Sequence, residues 1–134
     1  MVVTLNDKVE GTAVLLIAYD YVVRGILARM LTAKGYRVVN RSVGWNGIGT
    51  FKKGKGKFAV VVIDLELPDM SGLIVAKKIK EINHITPTIL LRRWEQGPNV
   101  EELRNAGVDL IMSKPLIMDK TYEMIENAVA SVHE

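Results

Sequence analysis

Five short apolar runs rich in β-branched residues alternate along this chain with segments of helical period. The runs are Ala13–Ile17, Tyr36–Asn40, Phe58–Ile63, Thr88–Leu91 and Val108–Met112. A run without polar alternation needs burial on both faces, which is how a strand of a parallel sheet reads. Val22, Val23, Ile26, Leu27, Met30 and Leu31 form the stripe of one helix, stopped by Gly35. Ile74, Ala76, Ile79 and Ile82 mark another, opening near Ser71 as a cap. Val100, Leu103 and Ala106 mark a third, ended by Gly107, and Tyr122, Ile125 and Val129 mark the last. The stretch from Gly44 to Gly56 also holds Gly47, Gly49 and Gly54. Each glycine costs a helix interior up to ~1 kcal/mol, so a short, frayed helix is expected there. Strand–helix alternation of this kind gives a doubly wound sheet with right-handed crossovers. The division expected is an N-terminal extension over residues 1–11 and one domain over 12–134.

Bulk composition narrows the function. Hydrophobic residues make up 49% and charged residues 25% of the chain, a globular balance. A net charge of +3 is too mild to argue for nucleic acid by itself, since that needs a clustered basic face, and no nucleic-acid partner is expected. The run Lys52-Lys53-Gly54-Lys55-Gly56-Lys57 reads as a solvated connection, because no aromatic interleaves with it. Cysteine is absent, which excludes disulfides and thiolate chemistry and permits a reducing, cytoplasmic setting. No apolar run approaches bilayer length and the N-terminus is no secretory signal, so a soluble protein without membrane contact is expected.

In a sheet of this class, ligands sit beyond the carboxyl ends of the strands. That rule selects Ala18–Tyr21, Asp64–Glu66, Arg92–Trp94 and Ser113–Pro115. Two of these segments carry recognisable motifs. Val61-Val62-Ile63-Asp64-Leu65-Glu66-Leu67-Pro68-Asp69-Met70-Ser71-Gly72 resembles the segment around the phosphorylated aspartate of response-regulator receiver domains. Ile111-Met112-Ser113-Lys114-Pro115, preceded by Ala106-Gly107-Val108-Asp109, is similar to the end of their fifth strand. The resemblance covers about residues 12 to 130 and implies a flavodoxin-like sheet in the order 2-1-3-4-5. It also implies that Asp64 is the phosphoacceptor and that Lys114 contacts the phosphoryl group.

The functional set around that pair is altered. Receiver domains run from strand one into two acids that hold Mg²⁺, whereas alignment on Arg24 and Gly35 places Ala18 and Tyr19 there. Asp20 falls one place later, leaving Asp20 and Asp64 as a poor metal pair; no cofactor is expected and Mg²⁺ binding should be weak or absent. Arg92 stands where a switch hydroxyl belongs, and Arg93 follows it where a small residue is usual. Ile111 replaces the switch aromatic. At an effective dielectric of 20, one charge exchanged within 4 Å is worth about 4 kcal/mol. Arg92, Arg93 and Lys114 thus turn a cation site toward tolerance of anions.

Further residues are expected on the rim: Asp20, Tyr21, Trp45, Glu66, Arg93, Trp94 and Ser113, with Tyr19 beside them. The bland reading of the arginines is ion pairing to Asp64 and Glu66, and that of the aromatics is partial packing. His84 and His133 lie away from the strand ends and take no catalytic role, and the six methionines read as core filler. The leading expectation is a stand-alone signalling receiver with phosphorylation impaired or lost, its partners a histidine kinase, another signalling protein or a second copy through Ile74 and Ile117. The alternatives are a repurposed or engineered scaffold whose strand-end pocket binds a small molecule, anion or protein, and a redesigned enzyme using Asp20, Asp64 or Lys114 with Tyr19. The enzyme ranks last, since no nucleophile–base–orienter set is visible.

Overall fold

Strand β1 (Ala13–Ile17) and strand β3 (Phe58–Asp64) lie at the centre of one five-stranded sheet. Their side chains alternate between two cores, as the pleat requires. Val14, Leu16, Val60 and Val62 face Leu27 and Leu31 of helix α1 (Tyr21–Ala33) and Ile125 and Val129 of helix α5 (Met118–His133). Leu15, Ile17, Val61 and Ile63 face Phe51 of helix α2 (Gly44–Lys53) and Val75 and Ile79 of helix α3 (Gly72–Ile82). Leu103 of the short helix α4 (Val100–Asn105) completes that second core. Strands β2 (Arg37–Arg41), β4 (Thr88–Arg93) and β5 (Leu110–Lys114) extend the sheet in the order 2-1-3-4-5. All four pairings are parallel. This is the expected flavodoxin-like arrangement. The computed structural model describes residues 11–54, 56–93 and 97–133, apart from the side chains of 132 and 133. All of the expected extension except Gly11 therefore lies outside the described residues.

Local chemistry accounts for the element ends. Asp20 caps α1, its Oδ1 accepting from the Val22 and Val23 amides. Gly35 at φ +95° and Gly107 at φ +83° turn the chain after α1 and α4 in the left-handed region where glycine carries no Cβ penalty. Ser71 caps α3 as anticipated, accepting from the Leu73 amide at 3.1 Å. Two strands begin later than the apolar runs suggest. The Tyr36 amide donates back to the Leu31 carbonyl, so Tyr36 closes α1 and β2 starts at Arg37. Val108 likewise donates to Leu103, and Asp109 accepts from Lys80 Nζ and the Thr88 amide, so β5 starts at Leu110.

Helix α2 corrects the expectation of fraying. It is continuous over ten residues because two of its glycines are contact surfaces. A Cβ on Gly47 would overlap the buried Ile17 side chain, and one on Gly44 would lie 2.7 Å from Met70 Cγ. Their absence lets α2 lie close on β1, and the packing offsets the propensity cost. Gly49 points into open space. Among the described residues, no helix is long and apolar enough to cross a membrane.

Two substitutions in this one helix should therefore act in opposite directions. Gly49→Ala should stabilise the protein by about 0.5–1 kcal/mol, the helical cost of glycine. Gly47→Ala should destabilise it by about 1–3 kcal/mol through overpacking. Urea denaturation reads both, and equal effects would disprove the packing account.

Candidate functional site

Asp64 ends a central strand of the sheet, with only 2% of its surface exposed. A carboxylate taken that far from water must be paired. Its Oδ2 lies 2.8 Å from Lys114 Nζ, and its Oδ1 accepts from the Glu66 amide at 2.9 Å. Lys114 is the last residue of β5, and the peptide bond that follows it to Pro115 is cis. Gly72 permits the approach of α3, since a Cβ there would overlap the Asp64 carbonyl oxygen. The Gly72 amide instead donates to the Leu65 carbonyl at 2.9 Å.

The head of β1 supplies no carboxylate to this pair. Ala18 is buried and Tyr19 is exposed. Asp20 spends its carboxylate on the start of α1. Arg24, which the sequence offered only as an alignment anchor, closes over this end: its Nη1 donates to the carbonyls of Ala18 at 2.6 Å and Tyr19 at 3.1 Å. Its place four residues after the Asp20 cap, on the same face of the helix, was the available signal. Among the described residues, no three His, Cys, Asp or Glu side chains gather where a metal ion could sit. The Asp64 carboxylate is bound to Lys114, and that of Asp20 is engaged by the first amides of α1.

The two arginines of β4 part company, as alternation along a strand requires. Arg92 follows the face of Leu90, and its Nη1 donates to the Pro98 carbonyl at 3.0 Å. Arg93 follows the face of Leu91 and reaches Glu66 at 3.7 Å, an exposed pair of small energetic weight. The cation brought to Asp64 is thus Lys114, while Arg93 takes the expected partner Glu66. Ser113 is half-buried and lies in register with Arg92. Ile111 is half-buried against the second core. Trp94 lies outside the described residues.

Among the described residues, the expected aromatic wall over Asp64 is not assembled. Tyr19 and Tyr21 are 60% and 76% exposed, so they stand in solvent rather than enclosing a depression. Trp45 lines a groove elsewhere, between β2 and α2. Ile74 and Ile117 are both exposed; Ile74 lines a shallow groove between α3 and α4, away from the residues around Asp64.

Asp69 was overlooked as an independent element. Val43 caps α2 without a side-chain hydrogen bond, and the missing acceptor comes from Asp69, 25 residues away from Gly44. Its Oδ1 accepts from Gly44 at 2.8 Å and its Oδ2 from Trp45 at 2.9 Å. Desolvation pushes the carboxyl upward, but donation by the Trp45 and Gly44 amides, and by those of Asp69 and Met70, holds it below its ordinary value.

The family profile of the response regulator receiver domain matches residues 14–126. The chain belongs to this family. It is 27% identical over 104 residues to the transcriptional regulatory protein GlrR of Escherichia coli, a match covering 78% of this chain and 23% of GlrR. It is 26% identical over 101 residues to the polar-differentiation response regulator DivK of Brucella anthropi, covering 73% of this chain and 80% of DivK. The chain thus spans about a quarter of the length of the transcriptional regulators GlrR and ZraR. Among solved structures, the CheY-like receiver domain protein of Methanospirillum hungatei JF-1 superposes with a TM-score of 0.86 at 20% identity, covering 92% of this chain and 98% of that one. The receiver domain of the sensor histidine kinase PA1611 of Pseudomonas aeruginosa superposes at 0.79 and 20% identity, covering 90% and 98%, and holds a magnesium ion in its active-site cleft. At these identities the structures establish the shared fold.

Two measurements test the receiver site described here. Lys114→Ala should destabilise the protein by about 2 kcal/mol, since it leaves a buried carboxylate without its cation. An unchanged denaturation midpoint would show that the ion pair carries no weight. Asp69→Asn should lower stability by about 1 kcal/mol at neutral pH, the usual worth of a helix cap. Because the folded state holds the Asp69 carboxyl below its unfolded value, its contribution is present above about pH 4 and fades as pH falls through the folded value. Melting curves of the two proteins should therefore converge toward acid pH.

Proposed function

We propose that this receiver domain signals through protein contact with phosphoryl transfer impaired or lost. The observation that carries the reading is the closed Asp64–Lys114 pair, 2.8 Å apart, beneath a β1 end whose one nearby acid serves as a helix cap. Attack by a carboxylate on phosphorus needs a free oxygen and a cation shared with the transferring group. Here one Asp64 oxygen is held by lysine and the other by the Glu66 amide. Arg92, at the position of the switch hydroxyl, is turned to the Pro98 carbonyl, and Ile111 offers no aromatic ring. The site therefore resembles one fixed conformation of a switch.

A histidine kinase or another two-component signalling protein is the partner this reading expects. Tyr21, Val22 and Ile26 expose apolar surface along the first two turns of α1, beside the site. An apolar helix face left in water suits a helical partner.

Intact-mass spectrometry after treatment with acetyl phosphate and Mg²⁺ tests the chemistry. The protein should stay unmodified. The triple variant Ala18→Asp, Tyr19→Asp, Arg92→Thr should gain an acid-anhydride adduct that hydroxylamine removes. A stoichiometric adduct on the unaltered protein, lost in Asp64→Asn, would overturn the reading.

A further inference from the structure

We propose that the groove between strand β2 and helix α2 binds single-stranded nucleic acid. The groove has a volume of about 650 Å³ and lies on the outer edge of the sheet, since among the described residues β2 pairs only with β1. Arg37, Arg41, Lys53 and Lys57 line it together with Trp45, and no aspartate or glutamate among the described residues does. The three ion pairs among the described residues use none of these four cations. Acids balance bases closely over the whole chain, 15 against 18. A concave surface whose charged lining residues are all basic is therefore a local concentration, of the kind that attracts polyanions.

The fold creates what the sequence separates. Arg37 and Arg41 share one face of β2 by the period of two, and the four-residue step between them spans about 13 Å of extended strand. Helix α2 runs back alongside, placing Trp45 at one end and Lys53 at the other over about 12 Å. The lysine run after α2 has no aromatic of its own, but Trp45 joins its Lys53 and Lys57 at the same groove. Arg41 is already oriented: its Nε donates to Thr50 Oγ1 at 2.7 Å and its Nη1 to the Asn40 carbonyl at 2.6 Å. A guanidinium held in this way loses less freedom on meeting a phosphate.

Trp45 decides between possible occupants. An acidic peptide or inorganic polyphosphate would neutralise the cations equally well, but neither has a flat ring to cover an indole. Trp45 is 60% exposed, and its contact with the Lys78 ammonium is loose, 5.8 Å from the ring centroid. A row of cations ending in an exposed indole is the arrangement that follows a phosphate backbone and stacks a base. Stacking of this kind tolerates any base, so the specificity expected is for single strands rather than for a sequence.

Fluorescence anisotropy with a fluorescein-labelled oligo(dT) tests the proposal at low salt. Binding should saturate and weaken with salt, with a logarithmic slope near −0.7 for each phosphate engaged and about −2 to −3 in total. The double variant Arg37→Glu, Lys53→Glu should lose at least tenfold in affinity through charge reversal, and Trp45→Ala about tenfold through lost stacking. Arg29→Glu with Lys120→Glu makes the same change in net charge on exposed parts of α1 and α5, and should cost less than about twofold. Lys53→Gln with Lys57→Gln, both exposed, gives an independent reading if the reversal variant fails to fold. Absence of saturable binding overturns the proposal, and so does equal loss in the control variant. Oligoglutamate or inorganic polyphosphate competing as well as oligo(dT), with Trp45→Ala without effect, overturns it in favour of those ligands.

Discussion

Strand β3 has no solvent side. From Val60 to Ile63 its residues are fully buried, alternately in the core under α1 and α5 and in the core under α2 and α3. A strand covered on both faces must be apolar along its length, and its first opportunity for chemistry is where it leaves the sheet. Asp64 stands at that exit, still only 2% exposed. The rest of the site follows from the cost of keeping a charge there. Lys114 arrives from the sheet edge, Glu66 donates its amide, and Gly72 has no side chain to obstruct the turn that brings α3 in.

Much of this was legible in the amino-acid sequence, for a physical reason. Two-sided burial writes itself as an unbroken apolar run, so β1 and β3 could be read almost residue by residue. The edge strands were harder. Tyr36 and Val108 are as apolar as a strand residue, yet each donates backward to close a helix, and apolar character cannot distinguish those two states. Helix α2 misled in the opposite sense. Glycine has a fixed cost in an isolated helix, but at Gly44 and Gly47 the deciding quantity is the distance to Met70 and Ile17, which only the assembled fold defines.

The receiver site divides along the same line. Motif spacing located Asp64 and Lys114, and the replaced positions Ala18, Tyr19, Arg92 and Ile111 could be named by counting. Their directions could not. Strand alternation sends Arg92 and Arg93 to opposite faces, so two adjacent arginines do not add at one carboxylate. Asp20 looked available to the site and is engaged by the α1 amides instead. Arg24 closes over the carbonyls of Ala18 and Tyr19, for which its place four residues after the Asp20 cap was the one hint in the chain.

Asp69 joins two regions that would otherwise be separate. It belongs to the loop leaving the acceptor strand, yet both its oxygens hold the first amides of α2. Helix α2 walls the basic groove and carries Trp45 at the end that Asp69 grips. Asp69 therefore pins that loop to that wall, with one carboxylate oxygen on each of the first two amides of α2. One side chain thus ties the segment that follows Asp64 to the helix walling the groove at the β2 edge of the sheet.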